Sequence, residues 1–158
     1  MDEKTLKKDR LRYTKNSISS GLALLAILFN VFYFVSIYKS DVGNYYYNIK
    51  IGVSVIYNLL FMLFTFLCSE GVKKYSFGYS VTLVVVGLLQ LVRINILPKQ
   101  AHSTTVTISG AERLVMEDAQ YNRVIIFLLI SATFAIAGGV IGIIRNRTLT
   151  AYNKSLNK

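Results

Sequence analysis

The chain has 158 residues, of which 53% are hydrophobic and only 16% charged, with 18 Lys and Arg against 8 Asp and Glu. An average soluble domain is about 25% charged, so this chain is too apolar to be disordered, and its single cysteine, Cys68, excludes a disulfide scaffold. A net charge of +10 is compatible with nucleic-acid binding, but most of the basic residues flank apolar runs, where they set membrane orientation, so nucleic acid is not expected as a partner.

Residues 1–16 form a basic leader carrying Lys4, Lys7, Lys8, Arg10, Arg12 and Lys15. Leu6, Leu11 and Tyr13 give it a weak amphipathic pattern that could lie on an anionic leaflet. The simpler reading is a solvated leader. Asn16 or Ser17 then caps the first of four apolar spans, 17–38, 50–68, 76–96 and 123–144. About 20 apolar residues of helix cross a hydrocarbon core of ~30 Å. Continuous runs without two-residue alternation predict helices rather than a barrel. The first run is far longer than the core of a signal peptide, and the Ser36-Ile37-Tyr38-Lys39 segment after it lacks a small-x-small cleavage pattern. It reads as a retained span.

Within the spans, Asn30 and Asn58 lie near the middle of the first and second. An amide in hydrocarbon needs a partner, which lies either inside the bundle or on another subunit. Arg93, near the end of the third span, is expected to snorkel to the interface. The other reading is a polar patch of Gln90, Arg93 and Asn95. In the fourth span Ser131, Ala135 and Gly139 repeat every four residues beside Gly138 and Gly142. This small-xxx-small face permits close helix approach, either within the bundle or at a partner interface. Tyr45, Tyr46 and Tyr47, with Tyr75 and Tyr79, read as interfacial anchors.

Residues 97–122 form the one sizeable loop. Pro98 ends the third span. The alternation in Ser103–Ile108 predicts a short strand, Ser109-Gly110 a turn, and Ala111–Gln120 a second short element, so a small strand or hairpin cap is expected. The chain closes on a basic tail, 145–158.

With both termini cytoplasmic, twelve basic residues lie inside and six outside, the latter Lys39, Lys50, Arg93, Lys99, Arg113 and Arg123. The expectation is an all-α integral membrane protein of four transmembrane helices. Both termini are cytoplasmic, and a structured extracytoplasmic loop joins helices 3 and 4. The place is a bacterial plasma membrane.

Chemistry is sparse. His102 stands in the polar loop and reads as solvated, and Cys68 reads as a small buried hydrophobe. Glu112, Glu117 and Asp118, beside Arg113 and Arg123, read as local ion pairs rather than a cation site. No catalytic residue, cofactor or metal site is expected. No carboxylate lies well inside a span, which argues against a small proton-coupled exporter. The functional expectation is therefore a non-enzymatic accessory, stabilising or assembly subunit. Its partners would be membrane lipid and the other subunits of a larger membrane complex, such as an ABC-type importer. The alternative is an independent small oligomeric transporter or channel built around Asn30, Asn58, Gln90 and Arg93.

Overall fold

The computed structural model describes residues 3–37, 48–108 and 111–156. In chain order these form helix α1 (Glu3–Tyr13), α2 (Ser17–Ile37), α3 (Asn48–Lys73), α4 (Phe77–Arg93), the short α5 (Pro98–His102), strands β1 (Thr105–Ile108) and β2 (Ala111–Leu114), and α6 (Asp118–Leu156). Four helical stretches are long and apolar enough to cross a membrane. Tyr45, Tyr46, Tyr47 and the Ser109-Gly110 turn lie outside the described residues.

Much of the buried face of the spans is small or polar, and many of the large apolar side chains point outward. Along α2 the inward residues are Ser19, Ala23, Ala26, Asn30 and Tyr33; along α4 they are Ser80, Leu83, Gly87, Gln90 and Arg93. Leu28, Phe32, Leu63, Phe66 and Leu88 are all exposed. Lipid tails are as apolar as leucine, so burying leucine between helices gains little there. Close backbone approach and hydrogen bonds decide the inner faces instead.

Helix α6 is the hub and packs along both α2 and α4. Its glycines face those helices. A Cβ at Gly139 would meet the Ser80 carbonyl oxygen at 2.7 Å and Val84 N at 2.9 Å; one at Gly138 would meet the Ser19 carbonyl oxygen at 3.0 Å. Ser131 donates to the Ala26 carbonyl at 2.7 Å, and Ser19 to that of Gly138. On α4, Gly87 lies under Ile136 in the same way.

The helix bounds differ from the apolar runs. Helix α3 continues beyond Cys68 to Lys73, because a helix stops where its backbone is capped, not where hydropathy falls. The stop is a Schellman motif: Ser76 N–H donates to Gly71 C=O at 3.3 Å and Tyr75 N–H to Val72 C=O at 3.1 Å. Tyr75 occupies the left-handed position, φ 55°, and is buried rather than an interfacial anchor. Tyr79 is exposed, with its ring over Gly71. Helix α4 ends at Arg93, three residues before the expected limit of the third span. Residues 94–96 continue in tighter i→i−3 turns until Pro98, which has no N–H to give, opens α5.

The tail is not separate from the fourth span. Residues 145–156 contain no glycine or proline, and α6 runs through them to Leu156. At 1.5 Å per residue its 39 residues extend about 58 Å, well beyond a ~30 Å hydrocarbon core. The N-terminal leader is helical as α1 and packs on this extension.

At the end of the bundle near the termini, Asn16 is fully buried. Its Oδ1 accepts from Ser19 N–H at 3.4 Å, an N-cap for α2, and from Arg145 Nη1 at 2.8 Å, while its N–H donates to the Lys73 carbonyl at 3.1 Å. At the other end, β1 and β2 pair antiparallel with Thr105 opposite Leu114 and Ile108 opposite Ala111. Leu97, Ala101, Val115 and Met116 bury against Tyr33 and Ile37 of α2 and Val124 and Leu128 of α6.

Candidate functional site

Three helices converge on Arg93. The i, i+4 pair Ser54 and Asn58 lies on one face of α3, and the i, i+3 pair Gln90 and Arg93 on one face of α4. Asn30 and Tyr33 complete the cluster from α2. Arg93 is 4% exposed, whereas Asn30, Asn58 and Gln90 are completely buried. Arg93 Nη1 donates to Asn58 Oδ1 at 2.6 Å, Asn30 Oδ1 at 3.4 Å and Gln90 Oε1 at 3.5 Å, and Nη2 donates to Ser54 Oγ at 3.1 Å. Gln90 Nε2 donates to Asn30 Oδ1 at 2.9 Å. The guanidinium carbon lies 4.3 Å from the Tyr33 ring centre and 4.8 Å from that of Tyr57, within cation–π range.

Arg93 therefore does not snorkel. Amide oxygens and aromatic faces meet it inside the protein, which is how an apolar helix bundle carries a charge. Asn30, Asn58, Gln90 and Arg93 come together within one chain. Asn95 does not join them; it lies past the end of α4 and is exposed. The Nδ2 groups of Asn30 and Asn58 are buried and have no hydrogen-bond partner among the described residues.

Beside Arg93 is a cavity of about 240 Å³ between α3 and α4. Its walls are largely aliphatic, with Val53, Leu89 and Val92 among them, and its polar side chains among the described residues are Ser54, Tyr57 and Arg93.

The other sequence-predicted residues are placed elsewhere. Ser131, Ala135, Gly138, Gly139 and Gly142 are all buried inside the bundle. Cys68 is buried among Ala23, Ala26, Val72 and Leu83. His102 is half-buried rather than solvated: its ring stacks on Tyr121 at 4.2 Å, Nδ1 lies 3.4 Å from the Met116 carbonyl, and Nε2 lies 3.6 Å from Asp118. These contacts tie α5 to the start of α6. Among the described residues no three His, Cys, Asp or Glu side chains group as a metal site.

Ser54, Tyr33 and Tyr57 are site residues that the sequence reading missed. Helical spacing held a signal for two of them: with Asn58 taken as inward, Ser54 and Tyr57 fall on or beside its face. Tyr33 had none beyond its distance of three from Asn30.

No protein-family model matches the chain, and neither a curated protein nor a solved structure matches it.

Proposed function

We propose that this chain is a multi-pass protein of a bacterial plasma membrane, with both termini cytoplasmic and the 97–122 loop outside. It acts without chemistry of its own, as an accessory or assembly subunit of a larger membrane complex such as a transporter. The observation that carries the reading is the use made of the polar side chains. Asn30, Asn58 and Gln90 are spent on one another and on Arg93 within one chain, so they lock three helices instead of lining a path. The twelve-to-six distribution of basic residues supports the orientation.

The test is mild-detergent purification of the chromosomally tagged protein, together with its deletion. An accessory subunit brings down membrane partners in fixed ratio, and its deletion lowers their steady-state level. A monodisperse homo-oligomer that leaves other membrane proteins unchanged on deletion, and that carries solute flux when reconstituted, overturns the reading. That result would favour the second one, a small oligomeric transporter or channel, for which the cavity beside Arg93 is the supporting observation.

A further inference from the structure

We infer that the cavity between α3 and α4 is a binding site for one anionic phospholipid, its phosphate at Arg93 and an acyl chain along Val53, Leu89 and Val92. The inference does not depend on whether the protein is an accessory subunit or a transporter.

Three observations converge. The first is access. Val53, Leu89 and Val92 are 63%, 47% and 58% exposed, and in a membrane-spanning bundle such surface meets lipid. The cavity is therefore entered from the bilayer, and an aliphatic wall in that position suits an acyl chain. Its volume of about 240 Å³ is roughly eight times the ~30 Å³ that a water molecule takes in the liquid. That accommodates a segment of chain and a headgroup oxygen rather than a whole lipid, so the rest of the molecule remains in the leaflet.

The second is charge. A buried guanidinium on the cavity wall selects an anion, and its planar fork suits phosphate oxygens. Ser54 and Tyr57 stand on the same wall, each with a hydroxyl. Among the described residues that line the cavity, none is acidic, so nothing on its wall opposes an anion. A phosphate matches the charge of Arg93, whereas a cationic ligand would be repelled by it.

The third is depth. Ser54 is six residues into α3, about 9 Å along the helix. Arg93 closes α4, and Leu89 lies one turn further in. A phosphate held at Arg93 thus sits close to the headgroup level, where a lipid already carries it, and the chain descends beside α4. A free inorganic anion would gain nothing from the aliphatic walls.

The test is native mass spectrometry of the full chain in mild detergent, titrated separately with phosphatidylglycerol and phosphatidylcholine of identical acyl chains. Phosphatidylglycerol should be retained as a one-to-one adduct at least tenfold more tightly. Val53→Phe fills the cavity without touching the polar cluster and should abolish that one-to-one preference while leaving helix content and melting unchanged. Arg93→Gln should bring the two lipids to equal retention, and Arg93→Lys should keep part of the preference. Because the chain is strongly basic, anionic lipid can also gather at its two ends. Val53→Phe separates the two cases even if the Arg93 variants do not fold. Equal retention of both lipids by the wild type, or a phosphatidylglycerol preference that survives Val53→Phe intact, overturns the site and assigns the binding to annular lipid.

Discussion

Asn58 is the residue on which the Arg93 cluster depends most, because its oxygen accepts the shortest of the guanidinium bonds, 2.6 Å. Removing that acceptor leaves a buried donor with less than it needs, which costs about 1–3 kcal/mol. Asn58→Ala should therefore lower unfolding stability in detergent by about that amount. Asn30→Ala, which removes a weaker 3.4 Å acceptor of Arg93 but also the 2.9 Å acceptor of the buried Gln90 amide, should cost a comparable amount. A double-mutant cycle between Asn58 and Gln90 should return a non-zero coupling, since both oxygens face the same guanidinium; strict additivity would mean that the cluster is not a unit. His102 belongs to a different region. Its stacking on Tyr121 is worth about 0.5–1.5 kcal/mol, and the contact with exposed Asp118 adds little. His102→Ala should loosen the α5–α6 junction by about 1 kcal/mol, read as faster limited proteolysis between residues 97 and 117. A variant as resistant as wild type would show that the ring does not hold that junction.

The element that organises the bundle is α6, and its glycines set how closely α2 and α4 approach. A side chain at Gly139 would run into backbone atoms of Ser80 and Val84, which cannot swing aside as a side-chain tip can. Gly139→Leu and Gly142→Leu should each destabilise the monomer by about 1–3 kcal/mol, as overpacking does. Gly21→Leu should be close to neutral, because nothing lies within 4 Å of a Cβ built there. Ile126→Leu, on the exposed face of the same α6 helix, should be mild as well. Thermal denaturation of each purified variant in one detergent checks the contrast. If Gly139→Leu melts with wild type, the close packing of α6 is wrong. The same logic covers α2, where Ser20 and Ser69 join α2 to α3 through a 2.8 Å hydroxyl pair.

At the scale of the whole molecule, the two ends of the bundle differ in construction. One is tied by Asn16, Lys73, Arg145 and the bond from Asn146 to the Tyr75 carbonyl. The other is closed by apolar side chains of α5, residues 115–116, α2 and α6. The proposed orientation puts the first in the cytoplasm, with the helical extension of α6 and the basic α1. A phosphatase fusion inserted at Gly110 should then be active, and one after Lys158 inactive; cytoplasmic reporters at the same points should give the reverse pattern. Activity of the cytoplasmic reporter at Gly110 would invert the orientation.

Hydropathy alone was sufficient to find the four helices long and apolar enough to cross a membrane, because crossing ~30 Å of hydrocarbon demands a long apolar helix whatever its neighbours are. The polar residues that matter, Asn30, Asn58, Gln90 and Arg93, were also legible, since each is costly in lipid and stands out against its span. Which of them meet was not, because pairing across α2, α3 and α4 depends on helix rotation and register. No run of residues encodes these separately, and Arg93 read as an interfacial snorkeller until the neighbouring helices were in place. The ends of α3 and α6 lie beyond the apolar runs for a related reason. Hydropathy marks where lipid stops, whereas a helix stops at a cap such as Tyr75 or runs on, as it does through Arg145, when nothing breaks it. The small-residue face of α6 was visible as a pattern, but only the packed bundle decided that it faces α2 and α4 and not a partner. Against lipid, close approach has no meaning until there is a second backbone to approach.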